Sequence, residues 1–387
     1  MIEQKTGAAF PKNFIWGVST SSYQIEGAAD ADGRGPSIWD TFCRSSPSPI
    51  ADESSGDAAC NSYELYKDDI RILKELHVSH YRLSISWPRV LPTGTTECVN
   101  EPGVLYYNRV LEELLANEIS PVVTLYHWDL PQALQDRGGW LNRQIVQWFA
   151  DYAEFCFSTF GDKVRYWLTI NEPWVTAWFG HGDGKFAPGL RGQESWAPYL
   201  VSYHQLLAHA AAYRVYDKQF RSKTNKGTCF DVTEWPSGYV GVAINCLWPE
   251  PETDDEADVE AAERACAYEF GMYVHPIFSD TGDWPAVVKQ MIAQRSRLDG
   301  RATSRLPTFT DDEIETLKGS ADFLGLNYYH MSLCRATSVQ PSVRADAATK
   351  QRQRDTHVRQ WVPDEWPKAP VDGLISRARK AVALTPH

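Results

Sequence analysis

The feature that most limits what this chain can fold into is an alternation. Short β-rich runs at residues 14–18, 80–85, 121–126, 165–170, 239–244 and 322–326 are separated by stretches with apolar residues at helical spacing, at 63–76, 106–115, 145–160, 199–220 and 259–272. Strand and helix in turn, at this spacing, predict right-handed βαβ units and a parallel sheet. Two architectures satisfy the pattern: an open doubly wound sheet and a closed (β/α)8 barrel.

The polar residues separate them. Gln24 follows the first run, His127 and Trp128 the third, Asn171 and Glu172 the fourth, and Asn327 the sixth. In an α/β barrel of the TIM type all strand C-terminal ends converge on one mouth. A doubly wound sheet gathers its ligand at one switch point, usually with a Gly-rich phosphate turn. No such turn follows any run here, so the barrel is the expected fold. The polar stretch 338–359 reads as a long loop. The acidic stretch 249–265 reads as a solvated helix start, since acids suit a helix N-terminus.

Net charge is −12. That disfavours nucleic acid and anionic membrane surfaces, both of which reward clustered Lys and Arg. A neutral polar ligand suits the balance. The 15 Trp and 18 Tyr belong mostly to a core, with roughly one Trp in five expected at a ligand, as pockets favour aromatics with a few polar groups. The eight Cys show no C-x-x-C spacing, and Cys156 and Cys266 read as small core hydrophobes. No metal or organic cofactor is implied. No stretch is long and apolar enough to span a membrane, the N-terminus lacks an apolar leader core, and no N-glycosylation sequon occurs. The expectation is a cytosolic chain, or a secreted one if residues precede Met1.

Cleaving a glycosidic bond needs a proton for the leaving oxygen and a carboxylate or activated water at the anomeric carbon. The proton donor must have a raised pKa, through burial or a nearby negative charge. Asn171-Glu172-Pro173 supplies such an acid at a strand end. Adjacent strand residues face opposite sides, so a bend is needed for Asn171 and Glu172 to meet one ligand. By itself, a Glu before a Pro is also a surface turn.

The motifs extend well beyond that tripeptide. The runs FPKNFIWGVSTSSYQIEG (10–27), YRLSISWPR (81–89), TLYHWDLPQ (124–132), WLTINEPW (167–174) and FLGLNYY (323–329) closely resemble glycoside hydrolase family 1, the β-glucosidase family, and the resemblance runs from about residue 10 to about 367. It implies a retaining β-glycosidase acting on a small β-glycoside or oligosaccharide without a cofactor. Carried over by position, Glu172 matches the acid/base. Gln24, His127 and Trp128 match residues that hold the sugar in the glycone subsite, and Asn171 the ligand of the 2-hydroxyl. Asn327 and Tyr329 match the pair beside the nucleophile, with the Tyr hydroxyl on that carboxylate. Arg82 matches the buried Arg that keeps it ionised. The plant thioglucosidases that resemble the family carry Gln where this chain has Glu172.

The chain also departs from the family. The nucleophile's Ile/Val-Thr-Glu-Asn-Gly run is absent, as is the Trp-rich motif of the eighth strand. About two βα units of roughly 30 residues each are missing. We therefore expect a single barrel domain over 1–387 with about six of eight units. Val232-Thr233-Glu234 mimics part of the nucleophile run but precedes the fifth strand, within a probable insertion at 228–238, and Glu234 reads as a loop acid. Open strand edges and uncovered apolar faces should make the chain poorly soluble. Without a partner carboxylate it should be nearly inactive. The alternative is a non-catalytic glycan- or protein-binding relative of the klotho kind. Glucose, galactose, fucose and phosphorylated sugars all remain open as substrates.

Overall fold

The computed structural model describes residues 10–11, 14–221, 238–337 and 347–363. Seven strands lie in one sheet in chain order: β1 Gly17–Ser19, β2 His80–Ser84, β3 Ser120–Tyr126, β4 Tyr166–Asn171, β5 Tyr239–Pro251, β6 Phe323–Ala336 and β7 Val358–Trp361. The first six are parallel, with registers such as His80 opposite Ser120 and Asn245 opposite Asn327. β7 is antiparallel to β6. Six parallel strands in sequential order form the wall of an incomplete (β/α)8 barrel.

The helices follow from their apolar stripes. We label Ser22–Ile25 α1, Ser62–Glu75 α2, Glu101–Ala116 α3, Ile145–Phe160 α4, Ala197–Gln219 α5, Glu256–Cys266 α6, Asp311–Leu317 α7 and Ala347–Thr356 α8. In α3 the buried positions are Gly103, Tyr106, Tyr107, Val110, Leu111 and Leu114, one helical face. In α4 they recur from Ile145 through Trp148, Phe149, Tyr152 and Cys156 to Phe160. α5 packs on α4 and is buried along most of its length. A reciprocal capping box between Thr310 and Glu313 starts α7. Among the described residues no helix is long and apolar enough to cross a membrane.

Several expectations need correction. The first strand occupies Gly17–Ser19; residues 14–16 precede it outside the strand, although the Trp16 carbonyl accepts from the Ser79 and His80 backbone N–H groups. β5 and β6 run well past their expected ends, to Pro251 and Ala336. The expected helix at 259–272 is α6 followed by a wider π-type turn, Ala267–Gly271. Asp258, read as solvated, is buried; its carboxylate accepts from the Ala336 backbone N–H at 3.0 Å and the Thr253 hydroxyl at 2.9 Å. Where a loop was expected at 338–359, α8 and the first residues of β7 occupy 347–359. Cys156 is buried, whereas Cys266 is half-buried. Most of 228–238, including Glu234, and the stretch 364–387 lie outside the described residues.

Among the described residues the sheet's two flanks are apolar and open: β1 pairs with β2 alone, and β6 meets β7 from Leu333 to Ala336. Phe10, Phe14 and Trp16 pack against one another, yet Trp16 is 55% exposed. Leu324, Leu326 and Tyr328 stand out from β6, with Leu326 52% exposed. Each leucine forgoes part of the roughly 1.5–3 kcal/mol that full burial supplies.

Candidate active site

The site is built at the ends of β3 and β4, with Arg82 reaching it from within β2 and Asn327 and Tyr329 from within β6. Between Leu168 and Asn171 the β4–β5 register slips. Such bulges bend a strand and re-aim its side chains. Glu172 then adopts φ 47° and ψ 65°, a left-handed conformation uncommon outside Gly. Its backbone N–H still bonds the Ala243 carbonyl at 2.8 Å. Bulge and turn together bring Asn171 and Glu172 into one hydrogen-bonded cluster.

Glu172 is 4% exposed. Its Oε1 accepts from Asn327 Nδ2 at 2.5 Å and from the Tyr329 hydroxyl at 2.7 Å. Burial raises its carboxyl pKa above the usual range, against the opposing pull of those two hydrogen bonds and of Arg82. The carboxyl is thus biased toward the protonated form an acid catalyst needs. Burial likewise pushes the Tyr329 phenol up, reinforced by the negative charge of Glu172.

Asn171 is the hub. Its Oδ1 accepts from Arg82 Nη2 at 2.6 Å and Asn327 Nδ2 at 3.0 Å. That orientation turns its Nδ2 to His127 Nε2, 3.1 Å away. Burial and the Arg82 charge hold the His127 pKa well below its ordinary value, so the ring is neutral and Nε2 accepts. Trp128, at φ 77°, donates its indole N–H to the Asn171 carbonyl at 2.8 Å. Arg82 also donates from Nε to Thr124 Oγ1 at 2.9 Å. Burial lowers the Arg82 pKa, opposed by Glu172 and Tyr329.

Arg82, His127, Trp128, Asn171, Glu172, Asn327 and Tyr329 therefore form one cluster. Gln24 stands apart: it is exposed, and its side chain accepts from the Ser21 hydroxyl at 2.7 Å. The sequence reading placed the Tyr329 hydroxyl on a second carboxylate; here it meets Glu172. Thr124, the partner of Arg82, joins the site without being marked by the motifs as functional, although it opens the TLYHWDLPQ run.

A family model described as "Glycosyl hydrolase family 1" matches residues 6–376. The chain belongs to glycosyl hydrolase family 1. Cytosolic beta-glucosidase of Cavia porcellus is 46% identical over 322 residues, which is 83% of this chain and 66% of that protein. Lactase/phlorizin hydrolase of Homo sapiens is 45% identical over 83% of this chain, but only 16% of that protein is covered. The chain thus spans less than two thirds of each of these family 1 relatives. Among solved structures, an aphid myrosinase superposes with a TM-score of 0.84 at 39% identity, covering 93% of this chain and 73% of that one. At these identities the family's (β/α)8 barrel is the architecture of which this sheet is a part.

Proposed function

We propose that this chain presents the acid/base and glycone-binding part of a site for hydrolysing terminal β-glycosidic bonds by the retaining route. The observation that carries the reading is Glu172, a buried carboxyl with a raised pKa at the mouth of a parallel sheet. Amide, imidazole and indole groups suited to sugar hydroxyls and ring faces surround it. The ligand is a small β-glycoside or oligosaccharide, and the beta-glucosidase names of relatives favour glucose.

Retention requires a second carboxylate about 5–5.5 Å from the first. The sequence lacks the run that supplies it. The chain by itself therefore donates a proton but forms no glycosyl-enzyme bond, and is nearly inactive on aryl β-glucosides.

Ligand-observed NMR with methyl β-D-glucopyranoside tests the reading. Saturable binding is expected, weakened about fivefold by His127→Ala or Asn171→Ala, as each removes a hydrogen bond of about 1 kcal/mol. No saturable binding, or binding indifferent to both changes, contradicts it.

One observation favours a second reading, a non-catalytic glycan-binding protein: Asn327 and Tyr329 are engaged on Glu172 rather than on a partner carboxylate. Supplying the seventh- and eighth-strand segment of a relative in trans separates the two. Turnover appears under the first reading and not under the second.

A further inference from the structure

Asp129 is fully buried, and the chemistry above gives it no task. It follows Trp128 on the turn after β3. Its Oδ2 accepts the Ser22 hydroxyl at 2.7 Å. The Ser84 hydroxyl donates to Ser22 Oγ at 3.0 Å, and the Ser22 backbone N–H donates to Ser84 Oγ at 2.7 Å. Ser22 and Ser84 are buried too. This chain of hydrogen bonds joins α1, which carries Gln24, to the last residue of β2 and to the turn that carries His127 and Trp128.

That turn needs holding. Trp128 sits at φ 77°, where a bulky residue is strained. Such strain persists only when the surroundings over-determine the conformation. On one side the indole is tied to the Asn171 carbonyl. On the other, the next residue is tied through Ser22 of α1 to Ser84 of β2.

We propose that Asp129, acting through Ser22, is a positioning residue that holds Trp128 in its left-handed turn and fixes the Gln24 segment relative to it. The proposal rests on the glycoside reading only for what the positioned surface binds. A buried carboxylate is a costly way to bond one hydroxyl, which argues for a task beyond packing. Burial pushes the Asp129 pKa up to about 7; the Ser22 hydroxyl and Arg34 pull it down and Glu26 pushes it up. Tyr126 and Tyr152 also feel its charge. Asp129 is therefore half-ionised near neutrality. Its hold on Ser22 strengthens as it ionises, because a carboxylate is the better acceptor.

The test is 19F NMR of the full chain labelled with 5-fluorotryptophan, with the Trp128 resonance assigned by Trp128→Phe. Asp129→Ala should shift and broaden that resonance, Ser22→Ala should shift it less, and Asp129→Asn, which keeps an acceptor, should restore it. Leu114→Ala, a buried change in α3, should lower the melting temperature and leave the resonance in place. In the unmutated chain the resonance should titrate near pH 7, and Asp129→Asn should abolish that titration. Methyl β-D-glucopyranoside should bind about tenfold more weakly to Asp129→Ala, since relaxing the turn releases strain of about 1–3 kcal/mol. An unmoved Trp128 resonance in Asp129→Ala overturns the proposal. If that variant fails to fold, an unmoved resonance in Ser22→Ala does the same. Absence of glucoside binding by the unmutated chain contradicts the glycoside reading alone, and the resonance still decides the clamp.

Discussion

The Tyr329 hydroxyl donates to Glu172 Oε1 across 2.7 Å, linking β6 to the turn that ends β4. Asn327 donates to the same oxygen. Family resemblance assigns these two donors to a second carboxylate. In this chain Glu172 itself takes them. The two donors stabilise its ionised form, while burial opposes that form. Tyr329→Phe should therefore move the Glu172 titration further upward and cost up to about 1 kcal/mol of stability. Carboxyl 13C NMR, assigned with Glu172→Gln, measures the first effect, and a downward or absent shift contradicts it.

Glu172 also sets a pH dependence of stability. A carboxyl whose pKa is raised on folding stabilises the fold at low pH, and that contribution is lost as pH rises from the ordinary carboxylate range through the raised value. Glu172→Gln removes this slope. Urea midpoints at pH 5 and pH 8 should differ less in the variant than in the unmutated chain. An equal difference in the two proteins contradicts the assignment.

The buried pair of Arg305 and Asp355 carries α8. Arg305 Nη2 lies 2.5 Å from Asp355 Oδ1, with both side chains almost fully buried. The hydroxyl of Tyr199 and Nε2 of Gln351 also donate to Asp355. Asp355→Ala strands a buried guanidinium, which costs about 3–5 kcal/mol. Chemical denaturation monitored by far-UV circular dichroism should show that loss, and a change under about 1 kcal/mol would count against the pair's importance.

α8 carries no signal of hydrophobic periodicity. Hydrophobic periodicity sees apolar faces, and Ala347–Thr356 has none: its buried side is Gln351, Asp355 and Thr356. The six parallel strands were legible because their β-rich cores are separated by strong helical stripes, as in α3 and α4. Their ends were not: the acidic stretch from 249 reads as a helix start, yet β5 continues through Pro249 and Pro251 beside β6. At the site, motifs located every member of the cluster around Asn171. They did not reveal the bulge and left-handed turn that aim Asn171 and Glu172 together, because backbone geometry leaves no residue-type signature there. Gln24 was placed near the mouth by chain order, yet chain order alone does not set the direction of an exposed side chain.

The open flank of β6 makes a prediction about association. Leu324 and Leu326 are exposed beside a strand edge that, among the described residues, β7 leaves largely unpaired. Lysines at such edges oppose edge-to-edge pairing. The double variant Leu324→Lys, Leu326→Lys should raise the soluble monomer fraction while changing stability by no more than about 0.5 kcal/mol per site. Size-exclusion chromatography with light scattering checks this, and unchanged association would place the sticky surface elsewhere.

Turnover of a 4-nitrophenyl β-D-glucoside by purified, folded, monomeric chain tests the central claim most directly. On the reading proposed above, Glu172 acts as an acid/base carboxyl without its partner, so release of nitrophenol should not exceed that of the Glu172→Gln variant. Turnover well above that variant, from a monomer shown to be folded, would contradict the account.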